Sequence, residues 1–226
     1  MKTIRRWTVA PAPCRLSRGR PALAARRARV EVWPSDILLR NNHAARDLDP
    51  VATLYTIGHS TRKLDELVSA LQAHGIETLV DIRAFPKSRR LPHFNRESLE
   101  SELSKREIHY IWMKALGGYR KATRKDSPNT ALRNASFRNY ADYTLTPEFE
   151  QAVDELLQLA EQSRTAYMCA ERVYFRCHRM IVSDWLVAHG HVVLHIDAEG
   201  PTRPHKLTAE ARMVEDRMIY QGDQLF

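Results

Sequence analysis

Hydrophobic residues follow a repeating strand-then-helix pattern from residue 51 onward. Five apolar runs have the length of strands, and between them apolar residues recur every three or four positions, as on one face of a helix. The runs cover residues 54–57, 78–82, 108–112, 165–169 and 192–196. Alternating strands and helices favour a mostly parallel sheet with helices on both faces. We therefore predict a single-domain, Rossmann-like α/β fold with about five strands.

Capping signals mark where helices begin. Thr146, Pro147 and Glu148 combine a cap, a proline at the first position and an acid in the first turn. Residues 113–138 carry no such signal, and we predict a long basic connection there, which in a compact domain is usually functional or mobile. The remaining helices are predicted to begin near Ser60 or Thr61, Asn95, Cys177 and, for a last short helix, Thr208.

Residues 1–50 lack this periodicity and hold most of the positive charge. This stretch holds 11 of the 35 Lys and Arg residues and 4 of the 27 Asp and Glu residues. The remainder of the chain therefore has 24 basic and 23 acidic residues, a net charge of +1. Such an Arg-rich, acid-poor segment resembles a transit peptide, a disordered basic arm or translation from an upstream start. We favour the last two, and we predict that the α/β domain occupies residues 51–226.

Hydropathy and cysteine content narrow the class of protein further. The mean hydropathy is −0.47, and no apolar run approaches the roughly 18 to 20 residues that span a bilayer. Three cysteines are an odd, low count that does not fit a secreted disulfide framework. We therefore expect a cytoplasmic protein that does not contact membranes.

Polar residues that can carry chemistry follow four successive predicted strands. In parallel sheets ligands bind beyond the carboxyl ends of the strands, and these ends meet at one edge. The turn at residues 58–60 is neither a P-loop nor a dinucleotide fingerprint, but a glycine turn before a helix can receive a phosphate. We predict one site at this edge, formed by Gly58, His59, Ser60, Asp81, Arg83, Arg90, Gly117, Gly118, Cys169, Glu171, Cys177, His178 and Arg179.

Cys177 is the candidate reactive residue of this site. It is predicted at a helix N-terminus between basic neighbours, and both features favour the thiolate, which is the nucleophilic form. We predict that it acts as a nucleophile or redox thiol, with Glu171 and His178 completing the catalytic set. Cys169, expected to be less exposed, is a candidate resolving partner. The alternative is that Cys177 merely caps a helix against the core.

Two arginines of the predicted site have two possible roles. Arg83 and Arg179 can hold an anion through bidentate hydrogen bonds, or they can pair with Asp81 and Glu171. The excess of Lys and Arg between residues 83 and 138 is likewise either a solvated loop or a surface for an anionic substrate.

A metal centre is not predicted. Cys169, Cys177 and His178 are possible ligands, but their spacing matches no standard zinc pattern. The sequence assigns neither a cofactor nor an oligomeric state.

Six ordered motifs, at residues 55–60, 80–83 with 85–90, 94–95, 116–118, 169–171 and 177–179, resemble the domain of unknown function 488 family. The likeness extends from about Tyr55 to Tyr220. It implies a cytosolic α/β protein with paired cysteines and a suspected enzymatic role, with the matched positions as its site. The spacer at residues 172–176 departs from the acidic, proline-bearing spacer of many relatives, because it is aromatic and basic.

Three functions compete at this stage. The first is an enzyme that binds a phosphate- or nucleotide-like anion and uses Cys177. The second is a nucleic-acid-associated module that contacts its partner through the connection at 113–138, with Tyr119, Phe137 and Tyr140, and whose cysteines are structural. The third is a small-molecule sensor without turnover. A folded part of net charge +1 argues against a broad nucleic-acid footprint, so the enzyme is our first interpretation.

Overall fold

A six-stranded sheet forms the centre of the described α/β domain. The computed structural model describes residues 51–198 and 200–222, so the expectation for residues 1–50 lies outside the described part. The strands are β1 Thr53–Gly58, β2 Thr78–Asp81, β3 His109–Trp112, β4 Thr165–Cys169, β5 Val192–Ile196 and β6 Arg203–Pro204. Their order is β3-β2-β4-β1-β5-β6. The first five are parallel and β6 is antiparallel, which confirms the predicted α/β class and all five predicted strands.

The helices lie on both faces of this sheet, as predicted. They are α1 Leu64–Ala73, α2 Arg96–Ser104, α3 Ala135–Tyr143, α4 Pro147–Gln162 and α5 Arg179–Ala188. Apolar side chains of α1 and α2 form one buried cluster with one face of the sheet, and those of α3, α4 and α5 form a second cluster with the opposite face. None of the helices within the described ranges is long and apolar enough to cross a membrane.

Two predicted helix starts need correction, and two are confirmed, one of them that of α2, which begins directly after Asn95. Helix α1 begins after Lys63 and not at Ser60 or Thr61, since Ser60 adopts a left-handed backbone with φ of 51° and forms the turn that leaves β1. Helix α5 begins at Arg179, two residues after Cys177. Helix α4 begins as predicted, and the Thr146 hydroxyl accepts a hydrogen bond from the Phe149 amide.

The predicted short helix after Thr208 is wrong. The chain there forms a hairpin of two antiparallel strands, β7 Ala211–Val214 and β8 Arg217–Tyr220. Thr208 does not cap a helix, because its amide and its hydroxyl both donate to Asp184 on α5, at 2.8 and 2.7 Å.

The predicted basic connection is shorter than expected, because α3 occupies its end. Asn134 caps this helix by accepting hydrogen bonds from the amides of Ser136 and Phe137. Tyr140 is fully buried and donates a hydrogen bond of 2.7 Å to the Leu116 carbonyl. The helix therefore fixes the start of the connection against the core.

Candidate active site

Two buried thiols face one imidazole at the carboxyl end of β4. Cys169 ends this strand, Cys177 precedes α5, and both are free cysteines. The Nδ1 atom of His178 lies 3.4 Å from the Cys177 sulfur and 3.8 Å from the Cys169 sulfur. Its Nε2 atom lies 3.0 Å from the Ile82 carbonyl oxygen. Since a carbonyl only accepts, Nε2 carries the hydrogen in the neutral ring, and the Nδ1 lone pair faces both sulfurs.

The two thiols have opposite pKa shifts. The pKa of Cys177 is lowered well below its ordinary value, chiefly by the hydrogen bond from Cys169 and further by His178 and Arg179, although burial acts in the opposite direction. The pKa of Cys169 is raised, first by that same hydrogen bond and then by burial. Of the two thiols, Cys177 is therefore the one that ionises first. Contrary to expectation, Cys169 is not the less exposed of the two, because its exposed fraction is 8% and that of Cys177 is 3%.

Arg179 is a buried cation that pairs with no carboxylate of the described chain. Its guanidinium donates to the Thr56 hydroxyl at 3.3 Å and to the backbone carbonyls of Glu171 and Arg172. Of the two roles left open for Arg179, pairing with the Glu171 side chain is not formed, and Arg179 bonds to the Glu171 backbone instead. Arg179 holds the segment that follows β4, and its charge favours a thiolate at Cys177.

Glycines of the predicted site allow backbone segments to approach closely. A Cβ atom on Gly118 would lie 2.4 Å from Nδ1 of His178, and one on Gly117 would lie 2.8 Å from Cα of Ala84. A Cβ atom on Gly58 would lie 1.9 Å from the Glu171 carbonyl oxygen. These three positions serve packing around the imidazole and the β4 segment.

The second predicted arginine is paired with an acid. Asp81 is fully buried and accepts hydrogen bonds from Nε and Nη2 of Arg83. Tyr110, which the sequence analysis did not single out, donates to Asp81 at 2.6 Å. His59 lies 3.3 Å from Nη1 of Arg83, and its pKa is lowered to about 4, first by burial and then by Arg83. A neutral His59 can therefore accept a hydrogen bond from Arg83.

A basic cleft of about 470 Å³ opens beside these networks. Three stretches of chain line it: residues 59–61 after β1, residues 83–91 after β2, and residues 170–176 after β4. Of the predicted site, it contains His59, Ser60, Arg83, Arg90 and Glu171. The cationic side chains in its lining are Arg83, Lys87, Arg90, Arg172 and Arg176, against one carboxylate. The thiols, Asp81, Arg179 and the two glycines of the connection are not among its lining residues.

A further buried network supports the segment that carries the thiols. Nε2 of His195 lies 2.9 Å from Nδ1 of His205, whose Nε2 lies 2.9 Å from Asp184. The Tyr174 ring stacks on His195 with their centroids 3.7 Å apart. Sequence periodicity could not reveal this network, because its members come from α5, β5 and the C-terminal segment.

The surface assigned to nucleic acid in the alternative interpretation is smaller than expected. Tyr140 is buried and cannot contact a partner. Arg120 of the connection lies over the Tyr143 ring, 3.7 Å from its centroid. Tyr119 remains exposed, and its ring centroid lies 5.9 Å from that of Phe85, a residue of the cleft lining.

These features define an α/β protein with a buried thiol pair next to a basic cleft. The chain matches the family described as "Domain of unknown function DUF488" over residues 63–186, more than half of its 226 residues. It therefore belongs to this family, which confirms the predicted family membership. No curated protein and no solved structure matched the chain.

Proposed function

We propose that the protein is an enzyme that binds a phosphate- or nucleotide-like anion in the basic cleft, with Cys177 as its nucleophilic or redox sulfur. The observation that carries this proposal is the lining of the cleft, in which four exposed cationic side chains meet one carboxylate. Guanidinium groups bind phosphate oxygens through paired hydrogen bonds, and the volume suits a small ligand.

The anion is bound by the exposed cations and not by the arginines first expected. Arg83 is occupied by Asp81, and Arg179 by Thr56 and backbone carbonyls. Four exposed cations remain for the ligand: Lys87, Arg90, Arg172 and Arg176.

The substrate reaches Cys177 by way of the segment that lines the cleft and directly precedes this residue. Residues 170–176 line the cleft and lead directly to the sulfur. Because Cys177 is only 3% exposed, the proposal requires this segment to open when the substrate binds. His178, whose Nδ1 is 3.4 Å away, accepts or returns the thiol proton. We place the enzyme in the cytoplasm, since the two described cysteines are free thiols and suit a reducing compartment.

The test is an anion titration that compares two sets of basic residues. Phosphate, sulfate, nucleoside monophosphates and a short single-stranded oligonucleotide are titrated while the melting temperature is followed. The double variant Arg90→Gln/Arg172→Gln should bind the best anion at least about tenfold more weakly, because charge-assisted hydrogen bonds are lost. Cys177→Ser should bind it normally.

The matched control removes charge from the connection instead. Lys121→Ala/Arg124→Ala/Lys125→Ala should leave small-anion binding unchanged. If this triple variant loses binding while the cleft variant keeps it, or if only the oligonucleotide binds, the nucleic-acid module is the better account. If no anion shifts the melting temperature at millimolar concentration, the proposed substrate class is wrong.

A further inference from the structure

We propose that Cys169, Cys177 and His178 form a three-ligand binding site for Zn²⁺. Their ligand atoms lie within 4.8 Å of one another. Zinc binds thiolate sulfur at about 2.3 Å and imidazole nitrogen at about 2.0 Å, so a tetrahedral site separates sulfur and nitrogen by about 3.6 Å. The observed separations from Nδ1 are 3.4 Å for Cys177 and 3.8 Å for Cys169, and they lie on either side of that value.

The second ring nitrogen of His178 has a hydrogen-bond partner of the kind that metal-bound histidines have. Nε2 of His178 is 3.0 Å from the Ile82 carbonyl, which places the hydrogen on Nε2 and leaves Nδ1 free to coordinate. Such a hydrogen bond fixes both the tautomer and the ring orientation of a ligating histidine. The Tyr140 ring contacts the imidazole edge to face, with centroids 5.1 Å apart, and the side-chain-free Gly118 packs against Nδ1.

The ligand types select the metal. Two thiolates and an imidazole are soft and borderline donors, which suit Zn²⁺ and exclude Mg²⁺ and Ca²⁺. Two thiolates also neutralise the dication, so the nearby Arg179 meets no net positive charge at the site. Three protein ligands are the number usual in catalytic zinc sites, which keep a fourth position for water or substrate.

From the sequence, these three residues were possible ligands but not a predicted metal site, because their spacing matches no standard zinc motif. Those motifs describe ligand pairs on one short turn. Here β4 supplies one ligand at its end, and the turn into α5 supplies the other two.

Zinc binding goes beyond the proposed function and does not depend on it. Coordination and nucleophilic attack use the same sulfur of Cys177, so in the zinc-bound protein Cys177 reacts more slowly with electrophiles. The two proposals fail separately, because anion binding in the cleft and metal binding by the thiols are measured independently.

The test uses the full-length, reduced, metal-free protein titrated with Co²⁺ and then Zn²⁺. We expect one Co²⁺ per chain, thiolate-to-cobalt charge-transfer absorption, tetrahedral visible bands, and displacement of these bands by Zn²⁺. Cys169→Ser, Cys177→Ser and His178→Gln should each weaken binding more than about 100-fold, since loss of an outer partner alone costs up to that much. The matched controls Cys14→Ser and His109→Gln should bind normally.

A second measurement does not rely on variants that fold. In the unmodified protein, Zn²⁺ should slow alkylation of Cys169 and Cys177 and leave Cys14 unaffected, as followed by mass spectrometry. The proposal is overturned if no metal binds, if cobalt binds without charge-transfer absorption, if both cysteine variants retain the bands, or if zinc protects neither thiol.

Discussion

At the scale of single residues, Gly118 shows how closely the basic connection approaches the site. A Cβ atom there would lie 2.4 Å from Nδ1 of His178, so any side chain must displace the imidazole or the connection. We expect Gly118→Ala to lower the free energy of unfolding by about 1–3 kcal/mol, the usual cost of overpacking. Gly200→Ala is the matched control, because, chain neighbours aside, no atom of the described residues lies within 4 Å of its Cβ position. Equal melting temperatures of the two variants would contradict this account.

Sequence reasoning selected several residues of the cleft but did not reveal which partner each one has. The rule that ligands bind at the carboxyl ends of strands selected His59, Arg83 and Glu171, and the cleft contains all three. The rule could not show that Arg83 pairs with Asp81, because the sequence allowed either Asp81 or a bound anion as its partner. Tyr110 was missed because its bond to Asp81 depends on the register between β2 and β3, which periodicity does not give.

At the scale of elements, apolar periodicity correctly located the buried strands, but it failed for a segment whose structure depends on tertiary contacts. All five parallel strands were located, because their bodies are continuous apolar runs. The hairpin of β7 and β8 was mistaken for a helix, since four hydrogen bonds to Asp184 organise that segment. They come from His205, from the Thr208 amide and hydroxyl, and from the Tyr220 hydroxyl.

This arrangement makes Asp184 the anchor of the C-terminal segment. Asp184→Asn replaces one accepting oxygen by an amide that only donates, which leaves buried donors without a partner. We expect residues 203–220 to become the most protease-sensitive part of the chain, with a loss of about 2–4 kcal/mol in unfolding free energy. Limited proteolysis followed by mass spectrometry measures this, and the exposed Asp65→Asn serves as control. Cleavage elsewhere first would argue against the anchor.

At the scale of the whole molecule, charge is unevenly distributed. The chain carries a net charge of +8, but residues 51–226 carry only +1. The positive charge of the domain is therefore local, and five of its cations line one cleft. This distribution suits a small anion better than a long nucleic acid, which needs an extended basic surface.

Buried neutral histidines link the stability of the whole domain to pH. Nε2 of His195 lies within hydrogen-bond distance of His205, while its buried Nδ1 has no hydrogen-bond partner among the residues that the structure describes. A proton added at Nδ1 would therefore find no hydrogen-bond acceptor among the described residues. The pKa of His195 is lowered to about 3, first by burial and then by His205, Arg179 and Arg203, with Asp184 acting in the opposite direction.

The sign of the pH dependence follows from this shift. Below its ordinary pKa of about 6.5 the unfolded chain binds a proton at His195, but the folded domain does not until about pH 3. Stability is therefore full above pH 6.5 and falls as the pH decreases, by up to about 1.4 kcal/mol per pH unit for this one proton. We expect urea unfolding between pH 7 and pH 5 to give a steeper loss for the natural chain than for His195→Phe. The variant is less stable at every pH because His205 loses a partner, so the slope is the decisive quantity, and parallel lines would refute the assignment.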